Sequence, residues 1–303
     1  MHPSNFRIRW HRSAGTVLAF VAAAVAGFCG NAVTPAKGAA PVAAKLQAGK
    51  LSPAQAARQS IREGRHRGTT RGLALGYVQC NLVVIPKALA YEFLLYCQRN
   101  QRSCPVIEVL DEGSWEPRHS APGADLRTDV PRYSVYRHGK RVSEETDIRA
   151  LWRSDLVAFL IGSGITFDEA LQRAGVPTDK DRWVLRTTLP TVPAGQFHGD
   201  MVVTMRWLTP QQAITATQVS ARFPFNHGAP IHVGDPALIG ADLRNPMFGG
   251  PVPVMPAGLV PVFWGCGVTP QAAAEAAKIE LMITHSPGHS FVTDIKADEF
   301  SLP

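Results

Sequence analysis

Short apolar strands alternating with capped helical segments predict an α/β fold, two-lobed, with a mixed sheet core and an α+β excursion in mid-chain. Three observations carry this. Leu75 to Ile85 is a continuous apolar run closed by Pro86, the pattern of a buried strand. Ser52-Pro53 and Thr269-Pro270 are helix-start signals. Residues 111–131 are a Pro- and Gly-rich excursion containing the segment APGADLRTDVP. With 303 residues and 45% hydrophobic content, the chain is long enough to bury roughly 75% of its unfolded-state surface.

The elements follow in order. A helix runs from Pro53 to Arg62 with Ser52 as its N-cap, and after the Leu75–Ile85 strand a second helix covers Lys87 to Gln98. Val106 to Val109 is a short strand, and Tyr133 to Val142 is a hairpin turning at His138-Gly139. Helices are expected from Ser154 to Leu160 and from Thr166, as N-cap, to Ala174, stopped by Gly175 and Pro177. Strands at Met201–Trp207 and near Ile231 flank a helix over Pro210–Ala221. Val260–Trp264 is a strand, Thr269 caps a helix to Lys278, and Leu281–Thr284 and Phe291–Asp294 are the last short strands.

Charge and cysteine usage narrow the function classes. The net charge of +7 is a property of one end: residues 1–67 hold ten Lys or Arg against Glu63 alone. The rest carries 21 basic and 23 acidic residues, so the body lacks the cationic surface that phosphate neutralisation requires, and nucleic acid is excluded as a partner. Cys29, Cys80, Cys97, Cys104 and Cys266 have neither CxxC nor zinc spacing and read as free thiols of a reducing, cytoplasmic compartment. At the N-terminus, basic residues Arg7 to Arg12 precede an apolar run from Ala14 to Phe28. That is the layout of a secretory signal peptide, and export is the alternative to a start codon placed too far upstream. The run is short for a membrane span, and no stable membrane partner is expected.

Five histidines fall between positions 198 and 289: His198, His227, His232, His285 and His289. Each lies within two residues of Gly or Pro, where turns bring side chains out at strand ends. Asp235 and Asp294 share these segments. Imidazole exchanges a proton near neutral pH and also ligates metals, so this third of the chain is the place for acid–base chemistry. No HExxH or other fixed metal spacing occurs; no organic cofactor is indicated, and a divalent metal stays open. Cys266, in FWGCGVTPQ, stands between a strand and a helix start, a position that lowers a thiol pKa unless the thiol is simply buried in a tight turn. Arg127 can fork onto a carboxylate with Asp125 orienting it, or form a surface ion pair with it. Gly162-Ser163-Gly164 is too short for a dinucleotide fingerprint.

Nine segments occur in a characteristic order: GYVQCNLVVIP, FLLYCQRN, CPVIEV, APGADLRTDVPRYSVYR, DLVAFLIG, FHGDMVVTMR, RFPFNHGAPIHVGDP, PVFWGCGVTPQ and ITHSPGHSFVTD. In this the chain resembles the D-glutamate cyclase family, including its bacterial hydro-lyase branch, over about residues 50–296. The resemblance implies a carbon–oxygen lyase of the hydro-lyase type that cyclises D-glutamate, or a related small acid, to 5-oxo-D-proline with loss of water. It also implies a division into an extension, residues 1–45, and a catalytic unit, residues 46–303, whose smaller lobe comes from the middle of the chain. The alternatives are a non-catalytic protein that binds a small acid, and a hydro-lyase acting on a hydroxy acid. Departures from the family pattern are Ser163 in place of the usual Cys, Asp168 in place of Glu, Asp200 in place of Pro and Thr188 in place of Asn.

For such a substrate the leading acid–base pair is His285 and His289, followed by His227, His232 and Asp235, with Cys266 as a lower-ranked nucleophile. Arg127, then Arg222, is the choice for the α-carboxylate, with Asp125 and His198 completing the binding candidates. The partner is a small acidic molecule, and oligomeric state is not specified by the sequence.

Overall fold

Ten consecutive buried residues, Tyr77–Pro86, form the strand around which the larger sheet is built. The structure is a computed structural model and describes residues 50–178 and 182–303. The expected extension, with its signal-like run, lies outside the described residues. Among the described residues no helix is long and apolar enough to cross a membrane.

The central strand, β1 (Tyr77–Pro86), is flanked from Cys80 to Pro86 by β5 (Leu156–Gly162), and β2 (Val106–Val109) pairs with the outer edge of β5. On its other edge β1 is shared by two strands. β11 (Phe291–Lys296) pairs with Tyr77 to Cys80, and β10 (Leu281–His285) pairs with Val83 and Val84. The ladder on that edge is therefore interrupted opposite Asn81 and Leu82. β3 (Tyr133–Arg137) and β4 (Lys140–Glu145) continue the sheet beyond β10 as a hairpin, whose two turn residues have φ of 49° at His138 and 75° at Gly139. Two positive φ values in a two-residue loop match the twist of the strands it joins.

The smaller sheet has the order β6-β7-β9-β8, with β6 (Trp183–Pro190), β7 (Asp200–Leu208), β8 (His232–Val233) and β9 (Val260–Gly265). Every described strand pair in both sheets is antiparallel, where a mixed sheet was expected; the α/β class itself stands. Strand neighbours joined by hairpins or returning loops run antiparallel without needing a crossover helix between parallel neighbours.

Helices close the faces. α1 (Pro53–Arg62) has a capping box, with the Gln55 N–H donating to Ser52 Oγ at 3.2 Å. Its Arg58 reaches across to Asp294 at 2.9 Å, tying α1 to β11. α2 (Lys87–Arg99) covers the face of β1 and β5 that holds Val83, Ile85, Phe159 and Ile161. α3 (Asp168–Arg173), α4 (Pro210–Ala221) and α5 (Thr269–Ala276) complete the set, and residues 50–303 make one compact unit.

Three sequence expectations are corrected. The segment read as a helix from Ser154 to Leu160 is strand β5; all seven of its residues are buried, so both faces are apolar and the alternation that marks a strand is missing. Thr166 is not a helix cap: its hydroxyl accepts from the Gln79 N–H at 3.0 Å, and Phe167 precedes α3. Thr269 likewise does not cap α5, because its hydroxyl binds the backbone of Val202.

Glycines allow the two sheets to meet. A Cβ on Gly267 would lie 1.7 Å from Asn81 Nδ2, and one on Gly162 would lie 1.8 Å from the backbone oxygen of Phe225. The second contact is with main chain and cannot be relieved by a rotamer change. Gly162→Ala is expected to destabilise the protein by about 3 kcal/mol, read as a fall of roughly 6–12 °C in melting temperature. An unchanged melting curve would show that the backbone at Phe225 yields freely.

Candidate functional site

Where the two sheets face each other lies a cavity of about 430 Å³. Its walls come from both. The larger sheet supplies Asn81 of β1, Ser163 just after β5, and His285 at the end of β10. The smaller sheet supplies Thr204 and Arg206 of β7 and Trp264 of β9. The two-residue period of β7 explains the selection. Val203, Met205 and Trp207 point to the opposite face and pack with Trp183 and Phe263, which leaves Thr204 and Arg206 toward the cavity.

Two histidines line this cavity, and their tautomers are fixed by different partners. His285 is 4% exposed, and its Nδ1 accepts from the Leu82 N–H at 3.2 Å, the donor left without a strand partner by the interrupted ladder. The amide nitrogen of Gln271 also lies 3.2 Å from Nδ1. An Nδ1 that accepts leaves the proton on Nε2, so His285 offers an N–H donor. His227 is 2% exposed and sits at a left-handed φ of 80° following a single 3-10 turn, Pro224–Asn226. Its Nδ1 donates to the carbonyl of Arg102 at 3.1 Å, which leaves Nε2 as a lone-pair acceptor. A non-glycine residue in this conformation costs of order 1–3 kcal/mol and persists where surrounding structure imposes it. Burial pushes both imidazoles down to about 4, opposed in part by the backbone hydrogen bond each one makes; the charge of Arg102 at His227 and of His289 at His285 adds a smaller lowering. Both are neutral at physiological pH.

The cationic side of the cavity is Arg206 with Arg182. One carboxylate, Asp168, serves both: Oδ1 accepts from Arg206 Nη2 at 2.8 Å and Oδ2 from Arg182 Nη2. Burial opposes the charge on Asp168, but the two guanidinium groups outweigh it and hold the carboxyl below its ordinary range. Arg206 is lowered to about 10, chiefly by burial and secondly by the charge of Arg182, and stays protonated. Its guanidinium carbon lies 5.4 Å from the Trp264 ring centroid and 5.8 Å from that of Phe167.

Of the residues singled out from sequence, the cavity brings together His227, His285 and Cys266. Burial raises the Cys266 thiol, only partly opposed by hydrogen bonds to Thr204 and the Val268 backbone, so it is not an activated thiolate. His289 donates from Nδ1 to the Pro287 carbonyl at 2.8 Å and is not on the cavity wall. His232 donates to the Asp235 carbonyl at 2.8 Å and packs on Phe263, while Asp235 Oδ1 caps the turn at Ala237. His198 is exposed, and Arg222 is held by the Leu302 carbonyl. Arg127 makes a two-pronged ion pair with Asp125 and stacks 3.9 Å over Trp115; Asp125 lines a second cavity, of about 450 Å³. Among the described residues no three His, Cys, Asp or Glu side chains converge as a metal site.

Sequence reasoning passed over Arg206, Arg182 and Asp168 as site residues. A signal was present for the first: an arginine inside the strand pattern MVVTMRWL must be buried, and a buried charge needs a partner.

Residues 157–294 match the family model described as D-glutamate cyclase. A protein of Stutzerimonas stutzeri is 51% identical over 258 residues, 83% of this chain and 97% of that one. One of Geobacillus kaustophilus is 50% identical over 252 residues, 81% of this chain and 95% of that one. One of a Thermoanaerobacter species is 52% identical over 258 residues, again 83% and 97%. Each of these relatives bears the name "Putative hydro-lyase".

The depressed histidines have a consequence for stability. Unfolded, each is charged below about 6.5; folded, each is charged only below about 4. Between these values the unfolded chain binds more protons, so stability is fully present above pH 6.5 and is lost as pH falls toward 4. The loss is at most about 3 kcal/mol per histidine. Denaturant unfolding at pH 7.5, 5.5 and 4.5 should show this slope in the wild type and a shallower one in His227→Gln/His285→Gln. Equal slopes would mean that these imidazoles are not held neutral.

Proposed function

The chain belongs to the D-glutamate cyclase family, and on that premise we propose that it is a hydro-lyase that removes water from a small carboxylic acid in the cavity between its sheets. The observation that carries this reading is the pair of neutral imidazoles, His227 presenting an acceptor and His285 a donor, on the wall of one cavity. A dehydration needs both functions at once, a group that takes a proton and a group that supports the departing oxygen.

For D-glutamate the reaction is ring closure to 5-oxo-D-proline. The amine nitrogen attacks the distal carboxyl carbon, a C–N bond forms, and a C–O bond of that carboxyl breaks. The zwitterion brings three protons on nitrogen; one stays in the lactam and two leave with the oxygen as water. His227 Nε2 takes ammonium protons in turn and passes them to the departing oxygen. His285 Nε2–H stays protonated and polarises the carboxyl by hydrogen bonding, since a neutral imidazole is far too weak an acid to surrender that proton. The cavity contributes by holding the extended acid in its folded, near-ring conformer. Cys266, a protonated thiol, takes no covalent part.

Incubation of the full chain with D-glutamate, L-glutamate and a panel of hydroxy acids, followed by mass spectrometry, should reveal loss of one water from D-glutamate. His227→Gln and His285→Gln should each lower turnover by about 10²- to 10⁴-fold. Absence of product from every acid would contradict the lyase reading, and product from a hydroxy acid alone would reassign the substrate.

A further inference from the structure

The cavity wall contains three arginines, Arg71, Arg182 and Arg206, and no Asp or Glu among its lining residues. Asp168, placed behind the wall, is the one carboxylate shared between Arg182 and Arg206. One carboxylate between two guanidinium groups leaves a positive charge unbalanced in a site where Arg206 is 5% exposed. Removing a cation from water without full compensation costs several kcal/mol. Native proteins seldom leave it so without a reason.

Arg206 Nε and Nη1 and Arg182 Nε are buried and have no partner, although the large majority of buried side-chain polar atoms do. A guanidinium kept for structure alone would have its donors satisfied by carbonyls or carboxylates. This one is instead held by one nitrogen to Asp168 and packed near Trp264 and Phe167. Rings beside the guanidinium favour a planar acceptor approaching its edge, the geometry of a carboxylate.

We infer that Arg206, oriented by Asp168 and assisted by Arg182, is the anchor for a carboxylate group of the ligand. The ligand class is a short-chain acid with at least one ionised carboxylate. Asp168 is a positioning residue: it engages Arg206 Nη2 and so fixes which nitrogens face the ligand. The short Asp side chain, buried between two cations, holds that orientation in one place. The anchor role proposed from sequence for Arg127 does not survive this geometry, because both prongs of its fork are taken by Asp125.

The inference rests on the cavity being the substrate site, as proposed above, but its test reads binding and not turnover. Calorimetric titration of the full chain would use glutarate, which has both carboxylates and no amine to cyclise, with glutaramide and inorganic phosphate as comparisons. The wild type should bind glutarate in preference to both. Arg206→Met should weaken glutarate about 100-fold or more, and Arg206→Lys, which keeps the charge and loses the fork, should fall between. Should Arg206→Met fail to fold, as judged by circular dichroism, Arg182→Gln replaces it, with an expected loss of about tenfold. The assignment is overturned if glutarate binding is absent in the wild type, if folded Arg206 variants bind it undiminished, or if phosphate binds more tightly. If glutarate binding depends on Arg206 while no acid is turned over, the anchor stands and the lyase reading falls.

Discussion

A single backbone donor, the Leu82 N–H, organises the centre of this molecule. It belongs to a strand that is buried along its entire length, so water cannot satisfy it. On the edge where it points, β11 has ended at Cys80 and β10 begins its pairing at Val83. The acceptor that fills the gap is the Nδ1 of His285, the last residue of β10. One requirement of sheet chemistry thereby determines the tautomer of an imidazole and holds it in place on the cavity wall.

The second imidazole is set by the opposite arrangement. The Arg102 carbonyl, in the turn between α2 and β2, accepts from Nδ1 of His227. That carbonyl is also the atom a Cβ on Gly265 would meet at 2.5 Å. The close contact between sheets that needs glycine and the hydrogen bond that orients His227 are thus made by one peptide. The left-handed backbone at His227 is the conformational counterpart of this constraint. Sheet packing and the tautomer of His227 therefore share one carbonyl.

Much of this was legible locally, and what was not depended on distance along the chain. The capping boxes at Ser52 and Thr209 involve residues three apart, and the helices they begin were readable. The turn contexts of His227 and His285 were readable for the same reason. β5 was misread because a strand covered on both faces loses its alternation. β6, in the sequence WVLRTTLP, went unrecognised because its Pro and its polar residues argue against a strand until β7 is laid beside it. The arginines make the contrast sharpest. Arg127 and Asp125 are two residues apart and suggest a site in sequence, yet they neutralise each other. Arg206 and Asp168 are 38 residues apart, and only the fold reveals that one carboxylate serves two cations.

The account stands on two neutral imidazoles of opposite tautomer facing one cavity. Nitrogen-15 NMR of the histidine-labelled full chain at pH 7 measures this directly, with His227→Gln and His285→Gln supplying the assignments. One ring should carry its proton on Nδ1 and the other on Nε2, the first belonging to His227 and the second to His285, and neither should show the shifts of an imidazolium. Two rings of the same tautomer, or either ring protonated on both nitrogens at that pH, would contradict it.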